Sequence, residues 1–208
     1  MSKSKEWLVP LTGVGFIVVA IVSFIVAGEP KDASHPAREI VGWYVDNKDA
    51  VQISAFIGMA AAVLLVFFGA YLRNVLRAAA GGADMLSLVS FIGIVVVAVG
   101  FAIDATISIA LAERADDIDP IAVQSLQALW DNDFVPIALG ILLFLWATGL
   151  SVLRTGALPK WIGWIMLLLG VVALTPLGFA SFIGTAVLIL VISILLAVRA
   201  RSATPVAA

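Results

Sequence analysis

The chain has 208 residues, of which 62% are hydrophobic and 12% charged, about half the charged share of a water-soluble domain. A formal net charge of −2 excludes the basic footprint of a nucleic-acid binder, and zero cysteines exclude disulfides, thiol redox chemistry and thiolate metal sites. The mean hydropathy of +1.14 instead points to a lipid bilayer as the partner.

Six apolar runs, near 8–28, 51–72, 85–112, 134–153, 161–175 and 179–198, approach the roughly 20 helical residues that one crossing needs. Period-2 alternation is missing from them, which disfavours a β-barrel. The expected fold is all-α: a polytopic membrane bundle of six transmembrane helices, one domain over 1–208, with two short amphipathic helices on its outer face.

The first run follows Lys3 and Lys5 and contains Ser23. It exceeds the roughly 7–15 residues of a signal core, and Ile25 and Ala27 make a poor cleavage pair, so an uncleaved span is expected. In the loop after it, Ser34 is a candidate cap for a helix from Pro36. Ile40, Val41, Tyr44 and Val45 then share one face, and Arg38, Glu39, Asp46 and Asn47 fall largely on the other. Gln52 and Ser54 open the second run, and Arg73 and Arg77 close it with the spacing that suits anionic headgroups.

The third run holds Asp104, a carboxyl group that costs about 3 kcal/mol to insert into a membrane centre. Gly93, Val97, Gly100 and Ser108 share its helical face, and the glycines permit close approach of another helix. Thr106, Ser23, Ser54, Ser181 and Thr185 are expected at similar depth with Gln52 just above, together lining a small polar pocket. Asp104 then reads as a hydrogen-bonding acid within the fold, as a proton or cation site, or as a contact for a partner or a ligand amine.

Asp119 before Pro120 signals the second surface helix, on which Ala122, Leu126 and Leu129 align with Trp130 beside them. Both surface helices would pack on the tops of the spans or act as a lid. Asp116, Asp117, Asp119, Asp131 and Asp133 lack calcium-loop spacing and read as solvated helix-capping acids, so no metal site is expected. The fourth run carries Trp146 near its middle, either filling volume or offering a stacking surface. Trp43 and Trp130 fit one membrane interface, and Trp7, Trp161 and Trp164 the other.

Charge sets the orientation. Placing both termini and the loops 71–84 and 154–160 on one side gathers Lys3, Lys5, Arg73, Arg77, Arg154, Lys160, Arg199 and Arg201 there, against only Glu6 and Asp84. The opposite side carries Lys31, Arg38, Lys48 and Arg114 within a large excess of Asp and Glu. Both termini are therefore expected in the cytoplasm.

Chemistry is sparse. The only histidine, His35, lies in an outer loop, so no span offers a haem ligand or a two-histidine metal site. No span contains lysine for a retinal-type Schiff base, and no serine–base or paired-aspartate arrangement suits an intramembrane protease. There is no Walker loop, H-E-x-x-H or dinucleotide fingerprint. No enzyme activity, catalytic residue or cofactor is expected.

Trp43-Tyr44-Val45-Asp46-Asn47, Leu158-Pro159-Lys160-Trp161-Ile162-Gly163-Trp164 and Thr175-Pro176-Leu177-Gly178 resemble a loose group of actinobacterial six-span integral membrane proteins without an established activity. The resemblance implies a six-span layout in a cytoplasmic membrane and no catalytic residues. The functional expectation is an accessory or scaffold subunit of a membrane assembly, meeting another membrane protein or a second copy. The alternative is a binder or transporter of a small molecule, lipid or ion, using an outward-facing pocket around Asp104.

Overall fold

The computed structural model describes residues 3–202. The side chains of Lys3, Lys5 and Glu6, which enter the charge balance above, lie outside the described part. A 3₁₀ segment, Lys3–Leu11, leads into α1 (Thr12–Ala27), α2 (Ala37–Asp46), α3 (Lys48–Ala79) and α4 (Met85–Arg114). There follow α5 (Pro120–Trp130), α6 (Val135–Thr155), α7 (Lys160–Val172) and α8 (Gly178–Ser202). The fold is all-helical, with no strand among the described residues.

Five helical stretches are long and apolar enough to cross a membrane: Trp7–Ala27, Lys48–Ala79, Met85–Arg114, Pro120–Thr155 and Gly178–Ser202. In the fourth of them α5 and a short turn run into α6. The sixth expected span meets a shorter element, because α7 has 13 residues and rises about 20 Å, less than a hydrocarbon core of about 30 Å. It stops at Val172, and turns occupy 173–177.

Glycine decides how closely the central helices meet. A Cβ on Gly93 of α4 would lie 2.6 Å from the Phe144 backbone nitrogen and 2.7 Å from the Gly140 carbonyl oxygen of α6. One on Gly140 would lie 2.6 Å from the Gly93 carbonyl oxygen in return. The two backbones thus touch where only glycine fits. Two turns on, Gly100 is closed by Ile137 of α6 in the same way. Around this seam Leu65, Phe68, Ile94, Phe144, Leu145, Ile162, Met166 and Ile192 build the main core.

Buried hydroxyl groups tie helices where hydrocarbon would leave them unpaired. Ser90 of α4 and Thr148 of α6 share a hydrogen bond at 2.7 Å. Ser181 of α8 donates to the Leu169 carbonyl of α7 at 2.9 Å. Ser193 of α8 donates to the Pro10 carbonyl.

One end of the bundle gathers the first residues, the loop after α6 and the last turn of α8. The Arg201 guanidinium stands 5.7 Å from the Trp7 ring centre, and Arg199 donates to the Ala157 carbonyl at 2.8 Å. A cavity at this end is lined by Ala79, Asp84, Ser151, Arg154 and Thr155, and the buried Ser151 Oγ meets no hydrogen-bond partner. The other end is closed by α2 and α5 over a second apolar cluster of Ile40, Tyr44, Val51, Leu111, Ala112, Ala115 and Val123.

The start of α2 differs from expectation. Pro36 occupies the cap position with extended backbone and no side-chain bond to the helix. Ser34 turns back instead: its Oγ and its backbone N–H both donate to Asp32 Oδ1. A full carboxylate accepts these bonds more strongly than a hydroxyl caps a helix. Asp119 accepts from the Ile121 N–H at 2.8 Å, with Pro120 in the first turn of α5.

Candidate functional site

Asp104 and Ser108 lie one turn apart on α4, on a face that is small and apolar below them. Where α4 leaves the Gly93–Gly140 seam, α1, α3 and the capping helices spread to leave a cavity of about 120 Å³. Its polar wall is Ser23, Ser54, Asp104 and Ser108, and its aromatic wall is Phe24, Trp43, Tyr44, Phe101 and Trp130. Among the described residues no basic side chain lines it.

The roof is held by a chain of polar bonds. Tyr44 of α2 donates its hydroxyl to Gln127 Oε1 of α5 at 2.7 Å. Gln127 Nε2 donates to Asp131 Oδ1 at 2.8 Å, and Asp131 Oδ2 accepts from the Ala33 N–H at 2.9 Å. Gln124 donates to the carbonyls of Ala33 and His35. The roof is joined to the floor by Trp130, whose indole N–H donates to Ser108 Oγ at 3.0 Å and also lies beside the Asp104 carboxyl group. The side chains of Tyr44, Gln127, Asp131 and Trp130 in this network therefore each have a partner, as burial demands.

The electrostatics are one-sided. Burial pushes the Tyr44 hydroxyl well above the ordinary tyrosine range, and the charges of Asp131 and Asp104 add to the shift. Asp133, in the turn between α5 and α6, lies within electrostatic reach of Asp104, and its buried Oδ2 meets no hydrogen-bond donor. At the exposed edge of the cap, the Ser34 hydroxyl and N–H and the His35 ring hold Asp32 below the usual carboxylate range. Asp104 thus lines the cavity, with Asp131 in electrostatic reach of Tyr44 on its wall and Asp133 in reach of Asp104. Among the described residues no three acidic or imidazole side chains converge as a metal site requires.

Of the residues that the sequence pointed to, Asp104, Ser108, Ser23 and Ser54 line this cavity. Ser23 donates to the Ser54 carbonyl at 2.8 Å, which joins α1 to α3 at its rim. The others lie elsewhere. Thr106 is exposed on the far side of α4 and returns its hydroxyl to the Ala102 carbonyl. Two residues along a helix turn about 200°, so it cannot share the Asp104 face. Gln52 reaches Glu113 at 3.5 Å, outside the cavity. Ser181 is engaged by α7, and Thr185 donates to the Ser181 carbonyl at 2.7 Å. Trp146 is 39% exposed, lays its indole against Gly170 of α7 and does not line the cavity. Thr148, the nearest hydroxyl to it in sequence, is taken by Ser90.

The tryptophans expected as interface anchors divide in the same way. Trp161 and Trp164 are exposed at the start of α7. Trp43 meets Tyr44 edge-on at 5.0 Å, and it and Trp130 belong to the cavity wall.

Sequence reasoning missed Tyr44, Gln127 and Asp133 as members of the site. Gln127 was recoverable: it lies one turn after Val123, and those two residues form the buried face of α5 while Leu129 is exposed. Similarly α2 buries Ile40 and Tyr44 and leaves Val45 exposed. A polar residue wins a buried position when its bonds are complete.

The geometry suits binding. Aromatic rings around a carboxyl group, with hydroxyl groups beside it, are the kind of wall that can hold and orient a small solute, preferably a cationic one. Comparison with protein-family models, with curated proteins and with solved structures finds no match to this chain.

Proposed function

We propose that the protein is an integral cytoplasmic-membrane protein that binds, and by extension moves, a small solute in an outward-facing cavity around Asp104. In this reading α2 and α5 are amphipathic helices on the outer face and form the roof of the site. The chain crosses six times, α7 and the residues after it making the fifth crossing, and both termini are inside. The pairing of Arg201 with Trp7 and of Arg199 with Ala157 supports this layout, because it groups both ends of the chain with the loop after α6.

The observation that carries the binding role is the half-buried Asp104, facing a cavity with no basic residue, under a roof whose polar groups are paired with one another. A carboxyl group placed there at a cost of about 3 kcal/mol marks a functional position. The accessory-subunit reading drew on the sparse chemistry, the small soluble parts and the glycine-rich helix faces, among them that of Gly93 and Gly100. Both are engaged by α6 of the same chain, which leaves that reading with less support.

The test is thermal unfolding in nanodiscs, for wild type and Asp104→Asn, against a panel of small amines, polyols, sugars and monovalent cations. The expected result is a saturable rise in melting temperature for at least one panel member in wild type that the variant lacks. Equal, flat responses of both proteins across the panel would remove the cavity as a binding site.

A further inference from the structure

A second, larger cavity of about 310 Å³ runs beneath the first. It lies between α1, α4, α6 and α8 and is almost wholly apolar, with Ile17, Ile94, Val97, Ile141 and Ile183 among its walls. Ala20, Phe24 and Phe101 line both cavities. The polar site around Asp104 and the apolar groove are therefore neighbours along the same helices, with only these side chains between them. From Asp104 to Ile94, α4 rises about 15 Å, the scale of a hydrocarbon chain rather than of a compact solute.

We propose that the two cavities form one site for a long-chain amine: a cationic head at Asp104 and an alkyl chain in the groove between α1 and α8. This inference rests on the binding role argued above and names its ligand class. Charge complementarity selects the head. Asp104 has no cation opposite it, Asp131 and Asp133 add negative charge nearby, and no arginine or lysine lines the cavity to receive a phosphate. An ammonium group beside the Asp104 carboxylate and the aromatic rings complements this wall. The groove selects the tail, because its lining is apolar except for Thr185, whose hydroxyl is spent on the Ser181 carbonyl, and Ile183 on its wall is exposed on the outside of the bundle.

The experiment uses the full chain in nanodiscs of zwitterionic lipid, with dodecylamine, dodecanol and propylamine as probes and melting temperature as the readout. Dodecylamine is expected to stabilise wild type saturably, at a concentration at least tenfold below that needed for propylamine, while dodecanol has no saturable effect. Asp104→Asn should lose the response to both amines. Ile183→Trp, which lines the groove and not the polar cavity, fills the groove and should lose the dodecylamine response while keeping that to propylamine. Val187→Trp, likewise confined to the groove and exposed, serves the same purpose should Ile183→Trp not fold.

Equal responses to the two amines, or a dodecylamine response indifferent to both groove variants, would overturn the long-chain inference and leave the polar site standing. Silence toward both amines, with a response to a neutral solute of the panel, would overturn the amine head alone. Silence toward amines and panel alike would remove both readings.

Discussion

Tyr44 and Gln127, 83 positions apart in sequence, close the end of the bundle through one hydrogen bond of 2.7 Å. Gln127 is fully buried and Tyr44 nearly so, so neither group has water to fall back on. Tyr44→Phe leaves the Gln127 carbonyl oxygen without its donor, and the expected loss is about 1–3 kcal/mol. Hydrogen exchange should locate that loss in α2 and α5, with the α4–α6 seam unchanged. An unaltered exchange pattern in α5 would show that the bond does not hold the roof.

The same tyrosine makes a prediction at high pH. Its hydroxyl group is raised in the fold by burial and by Asp131 and Asp104. The unfolded tyrosine ionises from about pH 10, while the folded one keeps its proton, so the folded state binds more protons above that pH. Stability should therefore fall as pH rises past about 10, by up to about 1.4 kcal/mol per pH unit. The difference curve between wild type and Tyr44→Phe isolates the effect, and a flat difference would refute it.

Two glycines should respond oppositely to alanine. Gly93→Ala places a methyl group against the α6 backbone and should destabilise by about 1–3 kcal/mol. Gly42, inside α2, has nothing within 4 Å of where its Cβ would stand. Gly42→Ala should stabilise by about 0.5–1 kcal/mol, since alanine loses less freedom in a helix. Unfolding of both variants in one detergent decides the matter.

Because the chain has zero cysteines, single-cysteine labelling in intact cells is clean. Six crossings expose Thr175→Cys and Ser125→Cys to a membrane-impermeant maleimide and shield Ser202→Cys. Were α7 not to cross, Thr175→Cys would be shielded and Ser202→Cys labelled.

Ser151 offers a smaller test at the opposite end. Its buried Oγ has no partner, so Ser151→Ala should raise stability by about 1 kcal/mol. A loss of stability instead would mean that the hydroxyl group is engaged by a bound group in the membrane.

Much of this was legible from the chain. Composition and run length gave the helical class, and the i, i+4 relation of Asp104 and Ser108 put both on one wall. Glycine spacing marked a close approach at Gly93 and Gly100 but could not say whether the neighbour was α6 or another molecule. Depth alone misplaced Thr106, since two residues at one level can face opposite ways. It also could not foresee that Ser181 and Thr185 would satisfy themselves on nearby carbonyls. The roof was least legible, because the pairing of Tyr44 with Gln127, and of Ala33 with Asp131, joins segments whose proximity only the folded bundle creates.

The bond from Ser193 to the Pro10 carbonyl spans 183 positions. During synthesis the first helix must wait in the bilayer until the last has been made, holding an acceptor for a donor not yet translated. Assembly of this bundle is therefore completed by its final helix, and a ribosome that stalls before α8 leaves the entry of α1 unseated.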